Sequence, residues 1–581
     1  MKKILALALC SLLLIGCGTS NNSGVSISAE SPNVSPTQAS SIELPETDVD
    51  VTVLSGTVNV SGDASIVLAD GNITIDGSGA TAEGDVVTIS ASGTYVLTGT
   101  LSNGQIRVDT DSSETVELIL SGIDVTCNDG PAVYILNAQK KVVLNLAEGS
   151  VNKVQDGEVY ADTSEDAPSA AIYSKEDLDI QGSGTLYVTG NYNKGIVSND
   201  DLSIEGGTIV VTAVDDGIRG KDSVEISGGT ISVYCGADGL RSNNETDDGK
   251  GYIQITGGEI SIEAGQDGIQ AVTDCYILGG VIVINSGGGS ENSSTESESW
   301  GRWGGMGGHQ GGSSSSSSST STGTSAKGIK AATLLDISGG TLSIDSSDDA
   351  LHSNGDMNIS GAEIYIVSGD DGVHADRTLN LTGGVITIDK SFEGIEALTI
   401  SVSGGDISIV SSDDGFNAAG GNDSSSMGGR PGQNTFASDS SGLVTISGGT
   451  VLINASGDGL DSNGNIVQTG GNVTVFGPSN SANGPLDYAG SYSLTGGVLI
   501  AVGAVGMAQL VSDCSQGQIA VTLRANAQSE VVVTDSSGDV VLSFVTPKSI
   551  ECLVCSTPNM ISGSTYTISV NGESLGSIQA Q

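Results

Sequence analysis

Leu202-Ser-Ile-Glu-Gly-Gly-Thr-Ile-Val-Val is followed by Val224-Glu-Ile-Ser-Gly-Gly-Thr-Ile-Ser-Val, and the phrase returns as Ile253-Gln-Ile-Thr-Gly-Gly-Glu-Ile-Ser-Ile and Leu335-Asp-Ile-Ser-Gly-Gly-Thr-Leu-Ser-Ile. Further copies begin at Met357, Leu379, Ile400, Val444 and Leu494. Each copy is a segment of alternating apolar and polar residues, a Gly-Gly pair, and a second alternating segment. Because successive side chains of a strand point to opposite faces, the phrase predicts two short strands joined at a glycine bend.

A second phrase closes each repeat: an acidic residue, then a small residue, then an apolar residue. It occurs at Asp216, Asp238, Asp267, Asp349, Asp371, Glu393, Asp414 and Asp458, and Lys327 takes the acidic position in one further copy. Where no loop intervenes, the period is 21 or 22 residues, as from Asp349 to Asp371. A strand-rich repeat of this length with glycine corners predicts an all-β fold, a three-sided parallel β-solenoid.

The predicted solenoid occupies residues 47–514, with a looser form of the repeat in its first part. Two segments rich in serine and glycine, residues 287–325 and 419–441, interrupt it and are expected to be disordered loops. Residues 515–581 lack the Gly-Gly phrase and contain strand patterns joined by tight-turn residues. They predict a small C-terminal antiparallel β-domain, either sandwich-like or capping.

The amino terminus has the pattern of an export signal. A basic start is followed by an apolar run from Ile4 to Ile15, which is too short to span a bilayer, and by Leu14-Ile-Gly-Cys17. This ending is typical of a lipoprotein signal over residues 1–17, with lipidation of Cys17; an ordinary secretory signal is the alternative. Residues 18–46 are polar and predict a flexible tether. We therefore expect an extracellular protein that contacts the membrane only through its lipid anchor.

Composition limits the choice of partners. The 581 residues contain 20 Lys and Arg against 69 Asp and Glu, a formal net charge of -49. Such a charge repels nucleic acid and anionic lipid and favours divalent cations. Only 3% of the residues are aromatic, which predicts a core of thin Val, Ile and Leu layers. The solenoid is expected to be monomeric.

The acidic corners are candidate metal ligands. Stacked strands lie about 4.8 Å apart, so corner carboxylates of successive coils form a ladder of like charge that calcium would neutralise. The candidates are Asp215, Asp216, Asp238, Asp267, Asp348, Asp349, Asp370, Asp371, Asp413, Asp414 and Asp458. The alternative is plain corner chemistry, because Asp and Gly both favour tight turns. That alternative explains one Asp per corner but leaves the doubled Asp-Asp pairs unexplained.

A second ladder lies three residues after each corner. It contains the candidate polysaccharide-binding residues Arg219, Arg241, Gln270, Lys330, His352 and His374, and continues through Glu396, Asn417 and Asp461. The preceding residue is always apolar, so alternation predicts that this ladder faces outward. Its polar groups then suit the hydroxyls and carboxylates of a polysaccharide, and a merely solvated face is the alternative. Trp300 and Trp303 lie in the first loop, where a glycan contact and a mobile segment are both open.

Catalytic motifs are few. A His-Glu-x-x-His pair and a P-loop are absent, and the many carboxylate pairs do not identify a glycosidase. Six cysteines follow Cys17, namely Cys127, Cys235, Cys275, Cys514, Cys552 and Cys555. The spacing of the last two also fits a redox or zinc pair, but no second pair accompanies them. Buried strand cysteines are the favoured interpretation.

Several phrases resemble the clostridial carbohydrate-binding parallel β-helix family. They are Gly93-Thr-Tyr-Val-Leu-Thr-Gly-Thr-Leu, Ala171-Ile-Tyr-Ser-Lys-Glu-Asp-Leu, Asn193-Lys-Gly-Ile-Val-Ser-Asn-Asp-Asp-Leu-Ser-Ile-Glu-Gly-Gly and Asp215-Asp-Gly-Ile-Arg-Gly-Lys-Asp-Ser-Val-Glu-Ile. The resemblance covers about residues 47 to 510 and implies a right-handed β-helix, similar to that of the pectate lyases, that binds calcium and polysaccharide, including cellulose and acidic pectic chains. Lys327 and Glu393 depart from the acidic-corner pattern, which implies a weakened metal site there.

The function expected from these observations is calcium-dependent, non-catalytic binding of a plant cell-wall polysaccharide at the bacterial surface. A polysaccharide (pectate) lyase is the first alternative, because Arg219, Lys221 or Arg241 could act as a base beside a calcium-held uronate. An adhesin or structural spacer without glycan affinity is the second.

Overall fold

The structure is a computed structural model, and it describes residues 62–164, 167–293, 326–419 and 441–581, together with the backbone of the strand Val25–Ser26. The predicted signal, Cys17, most of the tether and both tryptophans lie outside the described residues, as does most of each predicted loop. Among the described residues, no helix is long and apolar enough to cross a membrane.

β-Strands account for nearly all the regular structure, with one short 3-10 helix at Ser290–Asn292. The opening strands are β1 (Val25–Ser26), β2 (Ala64–Leu68), β3 (Thr74–Gly77), β4 (Ala80–Glu83), β5 (Val86–Ile89), β6 (Gly93–Leu101), β7 (Gln105–Thr110), β8 (Val116–Cys127), β9 (Val133–Ala138), β10 (Val142–Leu146) and β11 (Val151–Asp156).

The strands of the repeat region follow in the same order. They are β12 (Ala170–Ser174), β13 (Leu178–Gly182), β14 (Thr185–Gly190), β15 (Lys194–Ser198), β16 (Asp201–Ile204), β17 (Thr208–Ala213), β18 (Ile218–Gly220), β19 (Ser223–Ile226), β20 (Thr230–Cys235), β21 (Leu240–Ser242), β22 (Tyr252–Ile255), β23 (Glu259–Ala264), β24 (Ile269–Ala271), β25 (Asp274–Ile277), β26 (Val281–Ser286), β27 (Ile329–Ala331), β28 (Leu334–Ile337), β29 (Thr341–Ser346), β30 (Leu351–Ser353), β31 (Asp356–Ile359), β32 (Glu363–Ser368), β33 (Val373–Leu381), β34 (Val385–Lys390), β35 (Ile395–Val402), β36 (Asp406–Ser411), β37 (Phe416–Ala418), β38 (Leu443–Ile446), β39 (Thr450–Ala455), β40 (Leu460–Ser462), β41 (Asn465–Gln468), β42 (Asn472–Phe476), β43 (Leu486–Tyr488), β44 (Tyr492–Leu494) and β45 (Val498–Gly503).

The last strands are β46 (Asp513–Cys514), β47 (Gln518–Ala525), β48 (Glu530–Thr534), β49 (Val540–Val545), β50 (Ile550–Ser556), β51 (Thr565–Val570) and β52 (Glu573–Gln579).

Strands of the repeat pair in parallel with the third strand after them, so that β16 pairs with β19, β17 with β20 and β18 with β21. The pairings form three ladders: the strands before the Gly-Gly bend, the strands after it, and the strands after the acidic corner. Strands β33 and β35 run through a corner and contribute to two ladders, and β8 likewise pairs with both β10 and β11. The all-β class and the parallel stacking predicted from the repeat are confirmed.

The core is a stack of aliphatic side chains from all three ladders. In the first ladder Ile204 lies beside Ile226, and the inward residues of successive coils belong to one continuous cluster of buried residues. Aromatic residues are few in this cluster, among them Tyr95, Phe416 and Tyr492. The thin aliphatic layers expected from composition are therefore present.

Glycine has two distinct tasks at the bends. The second residue of the Gly-Gly pair takes a left-handed backbone, as Gly229 does with a φ of 94°, a region that costs other residues free energy. The glycine after the acidic corner is needed for space. A Cβ on Gly217 would lie 2.2 Å from Cγ1 of Val233 on the following coil. The corner therefore brings the backbone into direct contact with the core.

The C-terminal segment pairs with the end of the solenoid. Strand β50 is antiparallel to both β45 and β47, while β48, β49, β51 and β52 form a separate sheet that β1 joins in parallel. One hydrophobic cluster connects the two parts, and in it the rings of Phe476 and Phe544 lie 6.4 Å apart. The last rung of the second ladder is thereby covered by an antiparallel strand.

All six cysteines of the described residues are free. Cys127, Cys275, Cys552 and Cys555 are buried, and the other two are partly exposed. Cys552 and Cys555 both belong to β50, where the Cys555 side chain packs in the hydrophobic cluster. Their spacing is therefore that of a strand and does not form a disulfide.

We predict that Gly217→Ala destabilises the protein and that Ala350→Gly, at the equivalent corner where alanine already occurs, does so much less. The new Cβ of Gly217→Ala must displace Val233, and overpacking of this kind costs about 1–3 kcal/mol. Removing the methyl group of Ala350 costs about 0.5–1 kcal/mol. The urea midpoints of both variants measure the difference, and equal midpoints would contradict the steric explanation.

Candidate functional site

Two columns of polar side chains run up the third ladder. The corner column consists of Asp216, Asp238, Asp267, Lys327, Asp349, Asp371, Glu393, Asp414 and Asp458. The outer column, three residues further on, consists of Arg219, Arg241, Gln270, Lys330, His352, His374, Glu396, Asn417 and Asp461. Direct strand pairing aligns every neighbouring pair of the outer column. The predicted alignment of these residues is therefore present.

Five of the corner carboxylates, those of Asp238, Asp267, Asp349, Asp414 and Asp458, also accept a hydrogen bond from the next coil. The backbone N–H of Asp267 donates to Oδ1 of Asp238 at 3.1 Å, and that of Lys327 donates to Oδ1 of Asp267 at 2.8 Å. The N–H of Asp371 likewise donates to Oδ1 of Asp349 at 3.0 Å. An acidic residue at the corner thus bonds the following coil as well as shaping its own turn. This contact gives the acidic corner a structural role that needs no metal.

The second oxygen of the same carboxylates contacts the outer column. The contacts are Gln270 Nε2 to Asp267 Oδ2 at 3.2 Å, His352 Nδ1 to Asp349 Oδ2 at 2.7 Å, and His374 Nδ1 to Asp371 Oδ2 at 3.1 Å. Outer-column side chains therefore fold back onto the corner column. Full exposure, which the alternation predicted, is wrong for His352 and His374, both with 0% of their surface exposed.

The predicted ligands differ in burial. Asp216, Asp238, Asp267, Asp348, Asp349, Asp370 and Asp371 are buried, while Asp215, Asp413, Asp414 and Asp458 are partly exposed. Of the predicted polysaccharide contacts, Arg219, Arg241, Gln270 and Lys330 are partly exposed. These four can reach a bound chain from outside, whereas the buried histidines cannot.

The chain's own cations neutralise the first part of the corner column. Nζ of the fully buried Lys327 lies 3.2 Å from Asp348 Oδ1 and 2.6 Å from Asp349 Oδ2. Nη1 of Arg241 lies 3.1 Å from Asp238 Oδ2. Burial alone would raise the pKa of Asp349, but Lys327 and His352 hold it well below its usual range. The protein's own cations therefore supply positive charge in this part of the column, where Asp348, Asp349 and Asp370 also bring carboxylate oxygens within 4.8 Å of one another.

The upper part of the column lacks such partners. Within the described residues, no lysine, arginine or histidine forms an ion pair with Asp413, Asp414, Asp458 or Asp461. Burial and the neighbouring carboxylates raise the pKa of Asp414 to about 9 and that of Asp461 to about 7. A Cβ on Gly457 would lie 2.3 Å from Oδ1 of Asp413. These four carboxylates form an oxygen-rich cradle of the ligand type that calcium prefers, but among the described residues no three of them bring ligand atoms within 4.8 Å of one another.

Between these two parts lies a buried group of mixed ligands. Nδ1 of His374 is 3.1 Å from Asp371 Oδ2 and 3.0 Å from Glu396 Oε2, and its Nε2 is 3.2 Å from Asp376 Oδ1. The rings of His352 and His374 stack with centroids 4.8 Å apart. Burial lowers the pKa of His374, but Glu396, Asp371 and Asp376 together raise it well above its usual range. Asp371 was among the predicted metal ligands, but His352 and His374 were predicted to face a polysaccharide, so their grouping with carboxylates was missed.

A second acidic group lies outside both columns. Carboxylate oxygens of Asp177, Asp200 and Asp201 lie within 4.8 Å of one another, and Nζ of Lys250 is 3.0 Å from Asp201 Oδ2. Burial and the contact with Asp222 raise the pKa of Asp200 to about 6. Sequence reasoning missed this group because its members come from the turns between the third and first ladders.

A cationic pocket lies at the first coil of the regular repeat. Its volume is about 650 Å³, and its lining includes Lys175, Lys194, Arg219, Tyr173 and Tyr192. Lys194 is paired with Asp215 at 2.5 Å, whereas Lys175 is exposed and the Arg219 Nε atom has no hydrogen-bond partner among the described residues. Burial lowers the pKa of the Arg219 guanidinium.

The sequence identified only Arg219 of this pocket, since the other four residues precede the regular repeat. Tyr192 is held flat against Tyr160, with the ring centroids 4.1 Å apart and an angle of 15° between the planes. The pocket therefore offers two positive charges not already paired and two tyrosine side chains. Such a site is unusual in so acidic a chain.

We predict that Lys327→Met destabilises the protein strongly and that Lys330→Met does not. Removal of the buried ammonium leaves Asp348 and Asp349 facing each other without a cation, and breaking a buried ion pair in this way costs about 3–5 kcal/mol. Lys330 is partly exposed, so the same substitution there should cost less than about 1 kcal/mol. Thermal unfolding of both variants measures the effect. An equal loss at the two positions would show that Lys327 does not neutralise the column.

Parts of the chain are similar to known proteins. Residues 83–372 match the family model described as "Carbohydrate-binding domain-containing protein". A protein of that description from Acetivibrio thermocellus is 40% identical over 129 residues, which are 22% of this chain and 45% of the relative. The chain therefore spans less than half the length of that relative. A solved structure titled as the polysaccharide lyase-like protein from C. thermocellum, gadolinium derivative, is 38% identical, with a TM-score of 0.38 over 39% of this chain and 92% of that one. Residues 83–372, just under half of the chain, are thus similar to the carbohydrate-binding domain-containing family.

Proposed function

We propose that this protein binds an acidic plant cell-wall polysaccharide at the bacterial surface without cleaving it. The observation that supports the proposal is the pocket lined by Lys175, Lys194 and Arg219 in a chain whose net charge is -49. A local positive site on a strongly negative protein attracts anions only at that place. The ligand is therefore expected to carry carboxylates, and pectic chains carry one on each uronate residue.

The side chains of the pocket suit such a ligand. A guanidinium can donate two parallel hydrogen bonds to a carboxylate, and the unpartnered Nε of Arg219 is available for this. Tyr173 and Tyr192 offer apolar ring surface and hydroxyl groups to a sugar. The volume of about 650 Å³ lies in the range of about 300–1,000 Å³ that is usual for small-ligand sites. Neutral cellulose would lack the carboxylates that this pocket favours.

Calcium has a separate place in the proposal. Asp413, Asp414, Asp458 and Asp461 would hold the ion, which when bound neutralises their charge and fixes the upper coils. Seven corner steps separate Asp216 from Asp414, a distance of about 34 Å along the stack. Calcium at this distance cannot contact the uronate residue that the pocket holds. Its effect on binding would arise from the stability of the solenoid.

The remaining parts of the proposal concern architecture and location. Right-handed winding stays a prediction, as does lipidation of Cys17 in a lipoprotein signal. An anchor at Cys17 would hold the solenoid at the outer face of the membrane on the tether of residues 18–46. Labelling of growing cells with a fatty acid tests the anchor, and a Cys17→Ala variant should take up no label.

We predict that Arg219→Gln weakens binding of polygalacturonate about 10- to 100-fold. Hydrogen bonds to charged groups contribute about 1.5–3 kcal/mol, and this loss converts to that change in Kd. Lys175→Gln should weaken binding less because its ammonium is exposed. Lys221→Gln is the matched control, since Lys221 is an exposed cation two residues from Arg219 that does not line the pocket. Isothermal titration at constant ionic strength gives all four affinities. An equal loss of affinity in Lys221→Gln would show that the change in net charge, and not the pocket, explains the effect.

The same samples test catalysis. The lyase alternative is favoured by Arg219, because burial lowers its pKa and a less basic guanidinium is a better general base. We expect no increase in absorbance of an unsaturated product when the protein is incubated with polygalacturonate and calcium. A steady increase that Arg219→Gln abolishes would make this chain a lyase. Failure to bind any polysaccharide would leave the spacer alternative.

We predict that a calcium chelator lowers the thermal midpoint and that Asp414→Asn removes this dependence. An ion present at 100 times its Kd stabilises the folded state by about 2.7 kcal/mol. Asp406→Asn is the control, because Asp406 is an exposed carboxylate of the same coil. A midpoint that is indifferent to chelator in the unaltered protein would contradict the calcium site and leave the pocket unaffected.

A further inference from the structure

We propose that Asp371, His374 and Glu396 form a buried binding site for a divalent transition metal ion such as Zn²⁺, with His352 as a second imidazole beside it. This site is distinct from the polysaccharide pocket and from the oxygen-rich cradle near Asp414. The residues come from consecutive coils of the two columns, so the regular stacking of the solenoid brings them together.

The distances are those of a compact ligand set. One ligand atom each from Asp371, His374 and Glu396 lies within 4.8 Å of the others, and the same holds for Asp349, His352 and His374. His374 belongs to both groups and is fully buried. Two carboxylates and an imidazole converge on one point, and a second imidazole is stacked against the first.

The hydrogen-bond pattern of His374 indicates a cation at that point. Its Nε2 faces Oδ1 of Asp376, an acceptor, so this nitrogen carries a proton. In the neutral imidazole Nδ1 then has a lone pair, yet it faces one oxygen of Asp371 and one of Glu396 at 3.1 and 3.0 Å. Three acceptors in contact repel one another unless a cation lies among them. That cation is either a second proton or a metal ion.

Two further atoms favour the metal. Oε1 of Glu396 and Nε2 of His352 are buried and have no hydrogen-bond partner among the described residues. A proton on His374 satisfies neither of them, and a buried polar atom without a partner costs about 1–3 kcal/mol. No lysine or arginine of the described residues forms an ion pair with Asp371 or Glu396. A metal ion would use the available oxygen of Glu396 and balance the charge of both carboxylates.

The donor atoms select the class of metal. Imidazole nitrogen with carboxylate oxygen suits zinc, cobalt and nickel, whereas calcium prefers oxygen ligands alone. Asp376 occupies the place of the carboxylate that commonly accepts the other ring N–H of a metal-bound histidine. Complete burial leaves no route for a substrate, so the site would have a structural task, that of joining the coils around β30, β33 and β35.

The test is zinc binding by the full chain, stripped of metal and titrated with ZnCl₂ alone. We expect one equivalent of Zn²⁺ by titration and by elemental analysis, and the loss of that equivalent in Glu396→Gln and in His374→Gln. His309→Gln is the matched control, because His309 is the third histidine of the chain and lies outside the described residues. Excess calcium should not displace the bound zinc.

Cobalt provides a measurement that does not depend on the variants. Co²⁺ added to the stripped protein should give the visible absorption of a four- or five-coordinate site with nitrogen ligands, and this absorption should be lost in Glu396→Gln. A stripped wild-type chain that binds no zinc and gives no cobalt spectrum would overturn the proposal, and His374 would then hold a second proton. Zinc binding that survives in both site variants and is lost in His309→Gln would overturn it equally.

Discussion

Backbone hydrogen bonding between successive coils is the constraint on which the rest of the structure depends. Gly217 N–H donates to the carbonyl of Asp238, Gly239 N–H to that of Asp267, and the pattern continues through the column. Because each coil is held in register at a spacing of about 4.8 Å, a residue that recurs in the repeat is stacked directly on its own copies. Repetition is favourable for apolar residues, which form continuous layers. For acidic residues it places like charges within a few ångströms.

The groups that lie beside the stacked carboxylates differ between the first, middle and last thirds of the corner column. In the first part Lys194, Arg241 and Lys327 form ion pairs with the corner carboxylates of Asp216, Asp238 and Asp349. In the middle, imidazoles take the place of the cationic chains, and further up no protein cation is found beside the described carboxylates. An acidic residue is favoured at most corners because one carboxylate oxygen can accept a backbone N–H of the next coil, as in Asp238, Asp349 and Asp414. The negative charge of these corner carboxylates is then balanced by the side chains that lie beside them, which differ from coil to coil.

The fold was predictable because the repeat records it directly: alternation defines the strands, Gly-Gly the bend, and the period the coil. The alignment of the two columns followed from the same period. The burial of His352 and His374 could not be predicted. The alternation of apolar and polar residues shows on which face of the strand a side chain starts, but it does not show whether that side chain folds back onto a neighbouring residue. Lys327 was predicted to weaken a metal site at its corner. Its ammonium group instead places a positive charge beside Asp348 and Asp349. The pocket was missed because Tyr173, Lys175 and Tyr192 belong to coils that lack the regular phrase.

The outer column changes sign along its length, and this change separates the proposed sites. It begins with Arg219 and Arg241, passes through His352 and His374, and ends with acidic residues such as Asp461. A basic residue in the outer column can form an ion pair with a bound anion. An imidazole can coordinate a metal ion together with a carboxylate, and an acidic residue makes the local electrostatic potential more negative. If the proposed sites are correct, one repeated position would contribute to anion binding, mixed-ligand metal binding and oxygen-only cation binding in turn. Variation of the outer-column residue from coil to coil is enough to produce this succession of side chains, because the parallel strand pairing keeps the backbone of successive coils in the same register.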